Sequence, residues 1–503
     1  MSGVEVSLGV DVGTGSVRCA AFDMTGKQHG EAFTSPIRIS SPAPQFYQQS
    51  TKDIMANIES VIKQTLSSAS LNVTGIGFAA TCSLVFLDEN FDGVSVHPDD
   101  PDSEEDIIVW MDHRAENETS KLNDLEAKAH DFVGGRFSPE MELPKLKWVK
   151  EKLPTTWEKT KHVFDLADFL SFKASLVQAR SVCTLVCKWG WLAEMQDWEE
   201  KLLVDFGLED LKSKTQGVVK LPGEAIGHIS EAFSKSTGLD KNVSVSASLI
   251  DAHSGALGVL QASVDSSSSS CRLALIAGTS NCHMMLIPEC KFVPGVWGPY
   301  ESAILPGEFL LEGGQTSAGS TIDWLVNLTK STFAELESKA QNLPALTDVL
   351  CIPDFHGNRS PLANPLIRGS FHNLAIHSAA EELFLSIIQG LAMGTRMIIE
   401  QIENKSEVIV NELVLTGRLA RSKLFQRVHA DVTGKPVVVV DTDNGVLLGA
   451  AMLGATARGT FDSLKAAQRA MSPKGTLVAP DFTLQEFYSE KFEKFKRALS
   501  TRF

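Results

Sequence analysis

The sequence predicts an α/β protein of two related lobes, and three observations lead there. At 503 residues the chain is too long for a single core, so two domains are the natural expectation. Strand-like and helix-like stretches alternate through both halves, the pattern of sheets covered by helices. Two distant stretches also share one construction: an apolar strand, a turn of Gly, Thr and Ser, and a second apolar strand. They are LGVDVGTGSVRCAAFD at Leu8–Asp23 and LALIAGTSNCHMML at Leu273–Leu286. Turns of this composition leave backbone N–H groups unpaired and let a ligand come close, which suits phosphate oxygens. Asp11 adds a carboxylate at the start of the first turn. Each stretch alone reads equally as an ordinary β-hairpin; one opening each half suggests a nucleotide clamped between two lobes.

The elements follow in order. Leu8–Val12 and Val17–Phe22 read as paired strands, with two more at Gly75–Ala80 and Leu84–Asp88. Between them, Asp53–Ala69 carries Ile54, Ile58, Val61, Ile62 and Leu66 at helical spacing, and Ser50 with Asp53 resembles a capping box. The acidic run Asp99–Asp106 reads as a solvated loop, followed by IIVWMDHRAEN, a strand entering a helix. Five serines, Ser266–Ser270, form the most linker-like segment and set a domain boundary near residues 260–270. In the second half, Glu381–Asn404 is a long helix whose Gly390 and Gly394 suit close helix packing. The strand Glu412–Thr416, a helix from about Ser422, the strand Pro436–Val440 and the helix Gly445–Ala457 complete the pattern.

A formal charge of −16 leaves no basic excess to neutralise a nucleic-acid backbone. No uninterrupted apolar run approaches a membrane span, and the N-terminus carries no signal-like core, so no membrane partner and a cytoplasmic location are expected. The eight cysteines are scattered; Cys183 and Cys187 lie four apart without clear metal-site partners, and reduced buried thiols are expected. A P-loop is absent, and the fragment TGKPV at Thr433 has Pro where a hydroxyl belongs. Gly13 and Gly15 lack the third glycine of a dinucleotide fingerprint, since Arg18 stands there. DENFDGVSVHPD approaches a calcium loop but follows a strand and reads as a hairpin turn.

An ordered series of blocks resembles the FGGY family of carbohydrate kinases, and within it the ribulokinase branch. The blocks are DVGTGSVR (11–18), TCSLVFLD (81–88), WMDHRA (110–115), CKW (187–189), SLIDAHSGALG (248–258) and AGTSN (277–281). VPGVWGPYESAILPGEFLLEGGQTSAG (293–319), DFHGNRSPLANPLIRGSF (354–371) and LTGRLARSKLFQRVHADVTGKPV (415–437) follow, so the likeness spans nearly the whole chain. The resemblance implies an actin-like (ribonuclease-H-like) fold of two lobes around a nucleotide and sugar cleft. An N-terminal lobe at 1–262 would hold mainly sugar and a C-terminal lobe at 271–490 mainly ATP. It allows a homodimer.

The family's catalytic base falls on Asp251, which reads equally as the cap of a helix over Ala252–Leu260. Mg²⁺ is expected on Asp11 and Asp251, and the γ-phosphate near Gly13, Thr14, Ser16 and Arg18. Gly278, Thr279 and Ser280 would serve the β- and γ-phosphates, and Gly417, Arg418 and Ser422 the adenosine. Sugar contacts carried over are Ser83, Lys188, Asp251 and Glu312; Trp189 and Trp191 beside Lys188 suit a polyol or are simply core. Asp112 and Arg114 are expected as a buried ion pair, and His113 and His253 as structural histidines. The sequence departs from the family at Thr416-Gly417-Arg418-Leu419, where a glycine run is usual, and at Asn358, where Glu is usual. The implied activity is ATP- and Mg²⁺-dependent phosphorylation of a five-carbon ketose, D-ribulose to D-ribulose 5-phosphate first. L-ribulose, xylulose or a pentitol are alternatives, as is a non-catalytic sugar sensor.

Overall fold

A computed structural model of the chain describes residues 3–264, 271–343 and 346–500; the serine run Ser266–Ser270 lies outside the described residues. The chain forms two compact units. The first comprises Met1–Gln261, Tyr300–Leu310 and Asn444–Ser472, and the second Ala262–Pro299, Leu311–Asp443 and Pro473–Phe503. This division differs from contiguous lobes at 1–262 and 271–490 chiefly in giving the helix Gly445–Ala457 to the first unit.

The first unit is built on a seven-stranded sheet. Along its main path the order is Ala225–His228, Ser244–Ser246, Leu71–Ala80, Val4–Val12, Ser16–Phe22 and Gln28–Pro36, while Leu249–Ile250 also pairs with Leu71–Ala80. Val4–Val12 runs antiparallel to Ser16–Phe22 and parallel to Leu71–Ala80. Alternation along the first strand sends Val6, Leu8 and Val10 into a core with Ile54, Ile58, Val61 and Ile62 of the helix Thr51–Ser68.

The opposite face carries Ser7 and Gly9, in register with Gly75 and Gly77. There the helix Gly445–Ala457 comes in backbone to backbone. A Cβ on Gly9 would lie 1.8 Å from the Leu447 carbonyl oxygen, and one on Gly77 2.0 Å from that of Ala450. The helix replies with its own small residues: a Cβ on Gly449 would lie 2.0 Å from the Ser254 carbonyl oxygen, in the helix Asp251–Val259. This glycine-to-glycine fit is why a segment so late in the chain belongs to the first sheet.

Local chemistry departs from expectation at the start of Thr51–Ser68. Ser50 occupies the N-cap position but makes no capping hydrogen bond, and Asp53 instead accepts from the Arg38 backbone N–H at 2.9 Å. The helix start is held by Asp106, which accepts from the Thr51 N–H at 2.7 Å and its hydroxyl at 2.5 Å. The last residue of the acidic run is therefore buried rather than solvated. The strand expected after it is only Ile107–Ile108, in a second sheet of four short strands that also takes Leu84–Leu87, and a turn intervenes before the helix Glu116–Asn123. Residues 88–93 form the expected hairpin turn, with the Asp88 N–H bonded to the Asp92 carbonyl at 2.9 Å.

The second unit repeats the scheme. Arg272–Ala277 pairs antiparallel with Asn281–Ile287 and parallel with Glu412–Thr416, which pairs parallel with Val437–Val440. Phe309–Gln315 and Trp297–Glu301 extend the sheet beyond the hairpin, and Gly475–Val478 closes the other edge. In both sheets the hairpin's first strand lies between its own partner and a later parallel strand, so the two units are topological repeats. The helix Ala380–Ser406 is long and apolar enough by composition to cross a membrane, but it spends that apolarity inside the second unit. Its Gly390 and Gly394 allow the expected close packing, since added Cβ atoms would meet the Cys351 carbonyl oxygen at 2.4 Å and the Gln315 side chain at 2.2 Å.

Candidate active site

In the first unit, register brings together residues far apart in sequence. Asp11 lies opposite Ala79 on one side of the strand Leu71–Ala80, and Leu249 lies opposite the same Ala79 on the other. Asp11 and Asp251 thus emerge at one end of the sheet, the carboxyl ends of parallel strands, where α/β proteins place ligands. Asp251 is the first residue of the helix Asp251–Val259 rather than its N-cap, which is Ile250. Its Oδ1 accepts from the Ala252 N–H at 2.7 Å. The side chain stays partly exposed, while surrounding protein and the Asp11 charge push its pKa up to about 7, against the opposing pull of Lys188 and Arg18. Asp11 is buried, and burial likewise raises its pKa against the neighbouring Arg18.

Arg18 does not stand alone on the surface. Its Nη2 and Nε donate to Asp11 Oδ2 at 2.5 and 3.0 Å. The other Asp11 oxygen, Oδ1, is buried and accepts no hydrogen bond among the described residues. The turn Gly13–Ser16 closes through the Gly13 N–H to the Ser16 carbonyl at 3.0 Å, and the N–H groups of Thr14 and Gly15 donate to no protein acceptor among the described residues. Neither glycine adopts a positive φ, and a Cβ on Gly15 would meet nothing within 4 Å. These glycines therefore keep the turn open rather than bend it.

Ser83 and Lys188 are both buried in the same unit. The Ser83 hydroxyl lies 3.0 Å from that of Thr81 and accepts from the Trp110 N–H at 3.1 Å. Lys188 ends the short helix Val182–Lys188, whose cap Ser181 donates to the Ser248 carbonyl at 2.7 Å, tying this helix to the segment that carries Asp251. Trp189 and Trp191 are buried beside it. Asp112 and Arg114 form the expected buried ion pair, Nη2 to Oδ2 at 2.7 Å, with the guanidinium stacked 4.4 Å from the Phe46 ring centre.

Two contributors were not singled out from the sequence. The Trp110 indole donates to Thr14 Oγ1 at 2.9 Å, so one residue links the first turn to Ser83. Its signal was its place at the head of WMDHRA. Glu142 is fully buried, and its surroundings push its pKa up to about 7 against Lys145 and Lys188. Nothing in its local pattern marks it.

The second unit gathers the other residues. Its turn Gly278–Ser280 is one residue shorter than the first, with Ala277 paired to Asn281, whereas Val12 pairs to Val17. The Gly278 and Thr279 carbonyls accept from Gly319 and Ala318 at 3.0 and 2.9 Å, which seats the turn on the start of the helix Gly319–Thr329. Gly417 follows the adjacent parallel strand at φ +96°, and a Cβ there would lie 2.5 Å from the Ala277 carbonyl oxygen. Glycine is thus required at 417. Arg418 donates to Asp323 at 2.9 Å. Ser422 caps the helix Lys423–Thr433, accepting from the Phe425 N–H at 3.0 Å. A cavity of about 280 Å³ opens beside these residues, lined by Thr416, Gly417, Ala420, Gln426, Val439 and Thr442. Glu312 is buried on the strand Phe309–Gln315. Asn358 holds its own loop, donating to Asp354 at 3.0 Å.

Comparison with known proteins adds sequence and fold relatives. Residues 6–258 match the N-terminal domain of the FGGY family of carbohydrate kinases and residues 273–458 its C-terminal domain. A human FGGY carbohydrate kinase domain-containing protein is 41% identical, over 97% of this chain and 95% of its own length. A D-ribulokinase of Saccharomyces cerevisiae is 33% identical, over 90% of this chain and 72% of its own length. The crystal structure of a xylulose kinase from Brucella ovis shares the fold, at a TM-score of 0.84 and 21% identity over 99% of both chains.

Proposed function

The chain belongs to the FGGY family of carbohydrate kinases and is a sugar phosphotransferase; on that premise we propose that its acceptor is a five-carbon ketose, D-ribulose first, phosphorylated on the 5-hydroxyl by ATP. The observation that carries the mechanism is the meeting of Asp251 with Asp11 at one sheet end, within reach of the Lys188 charge. The named activity of the yeast relative supports the choice of sugar.

In this reading Asp251 accepts the proton of the attacking hydroxyl. As the new oxygen–phosphorus bond forms, the bond from the γ-phosphorus to ADP breaks and ADP leaves with its electron pair. A carboxyl poised near neutral pH suits that transfer, because a substantial fraction is ionised before reaction and the carboxylate is basic enough to take a proton. Lys188 and Ser83 would orient the sugar hydroxyls. In the first unit the open N–H groups at Thr14 and Gly15 would receive phosphoryl oxygens, and in the second unit Gly278–Ser280 would offer donors to phosphate. Gly417 and the cavity beside it would take the nucleoside. Mg²⁺ fits the donors present: Asp11 offers a buried carboxylate oxygen that accepts no hydrogen bond among the described residues, and Asp251 a second carboxylate. Those two residues would hold the ion, which neutralises phosphate charge when bound.

The test is ADP release by purified protein across D-ribulose, L-ribulose, D-xylulose and ribitol, ranked by kcat/KM. D-ribulose should lead. A tenfold preference for another acceptor would overturn the choice of sugar, and ATP hydrolysis indifferent to every sugar would overturn the mechanism.

A further inference from the structure

Cys183 and Cys187 are not the partnerless thiols their spacing suggests. The helix Val182–Lys188 places them four residues apart on one face, and the helix Asp251–Val259 brings His253 against them. His253 Nε2 lies 3.3 Å from Cys187 Sγ, and one donor atom from each of the three residues lies within 4.8 Å of the others. All three side chains are buried. The two helices are fixed to each other by Ser181, which donates to the Ser248 carbonyl at 2.7 Å, and by Asp168, which takes both the Ser181 N–H and the Ser248 hydroxyl.

We propose that Cys183, Cys187 and His253 form a Zn²⁺ site whose occupation inhibits the kinase. Tetrahedral zinc on these three donors, its fourth position taken by a water molecule, has bonds of about 2.3 Å to sulfur and 2.0 Å to nitrogen and spaces its protein donors roughly 3.5–3.8 Å apart. The cluster therefore needs a contraction of at most about 1.3 Å, within the reach of side-chain torsions. Two thiolates and one neutral imidazole select Zn²⁺ over Mg²⁺, which takes oxygen donors, so the ion used with ATP does not compete here. Binding expels two thiol protons to solvent, and the two thiolates cancel the charge of the ion, which suits a buried position. His253 stands in the same helical turn as Asp251, and Cys187 immediately precedes Lys188. Turning the Cys187 and His253 side chains onto an ion repacks the immediate neighbours of Lys188 and Asp251, the groups on which the proposed chemistry depends.

The site is tested on the full chain, fully reduced, without any sugar turnover. Co²⁺ should give thiolate-to-metal charge-transfer absorption and the visible bands of tetrahedral cobalt, and one equivalent of Zn²⁺ should abolish them. In weakly buffered solution each Zn²⁺ bound should release about two protons. Cys183→Ser and Cys187→Ser, chosen for near-identical size, should each lose the charge-transfer band. If a variant fails to fold, proton release by the unaltered chain still decides. Absence of the cobalt–thiolate band, absence of proton release, or an unchanged spectrum in either substituted chain would each overturn the site. ADP release in excess Mg²⁺ should fall on addition of Zn²⁺ and recover with a zinc-selective chelator; unchanged activity in zinc-loaded protein would overturn the inhibitory coupling alone. Because the spectra need no substrate, a wrong choice of sugar leaves this test intact.

Discussion

Replacing Gly9 with alanine asks whether backbone contact between the Gly445–Ala457 helix and the first sheet holds that unit together. The new methyl would lie 1.8 Å from the Leu447 carbonyl oxygen, so ordinary contact requires the helix to withdraw by about 1.5–2 Å. Separation on that scale forfeits more than half of the dispersion contact along the face, which Gly77, Gly75 and Gly454 help to make flat. Alanine in place of glycine restricts the unfolded chain and returns only about 0.4–1 kcal/mol. The net loss is about 3 kcal/mol, at the upper end of ordinary overpacking, or roughly 5–10 °C in the first unit's unfolding midpoint. Thermal and urea unfolding followed by circular dichroism would measure it. Gly15→Ala is the internal standard, because its methyl meets nothing within 4 Å and its φ is not positive. Equal midpoints for Gly9→Ala and Gly15→Ala would refute the packing argument.

Asp251→Asn should lower kcat by about 10²–10⁴ while sugar binding, read by calorimetry, is nearly kept; turnover close to that of the unaltered chain would remove Asp251 as the base. Gly417→Ala should raise the KM for ATP at least several-fold without weakening sugar binding, since strain at φ +96° and the 2.5 Å approach to Ala277 fall on the second unit alone. An unchanged KM would separate Gly417 from the nucleotide. Burial pushes the Asp106 pKa up from 3.8 to about 6. Its proton is therefore held more tightly folded than unfolded, and the stabilisation it contributes is complete below about pH 4 and lost as pH rises through 6. Two pKa units correspond to at most about 3 kcal/mol. Asp106→Asn should flatten the fall in unfolding free energy between pH 4 and 6.5; parallel curves for the two proteins would refute the assignment.

The two hairpins were legible because their signal is local: apolar runs of strand length around Gly, Thr and Ser, each read from a dozen residues. The long helix of the second unit was legible for the same reason, its period surviving over many turns. Asp11 and Asp251 were each identifiable, but their meeting depends on two strands docking on opposite sides of Leu71–Ala80, and no local pattern encodes which strand a segment will choose. Asp106 misled because a run of acids looks solvated until its last member is seen under a helix start. Cys183 and Cys187 showed their spacing but not His253, which tertiary structure alone supplies. The helix Gly445–Ala457 is apolar on every side, so periodicity could not say which sheet it would cover. Its one clue, glycines and alanines at close-packing intervals, becomes readable only beside the glycines of the first strands.

That late helix sets a timetable for synthesis. When Gln261 has emerged from the ribosome, one face of the first sheet still waits for a segment encoded about 180 residues downstream, roughly 10–40 s at ordinary translation speeds. Throughout that interval the nascent chain presents a bare glycine-floored groove, the kind of surface that holdase chaperones recognise and that unfinished neighbours on the same messenger can seize. A premature stop anywhere before residue 445 would leave the groove permanently empty, so fragments ending there should accumulate as aggregates rather than as half-enzymes.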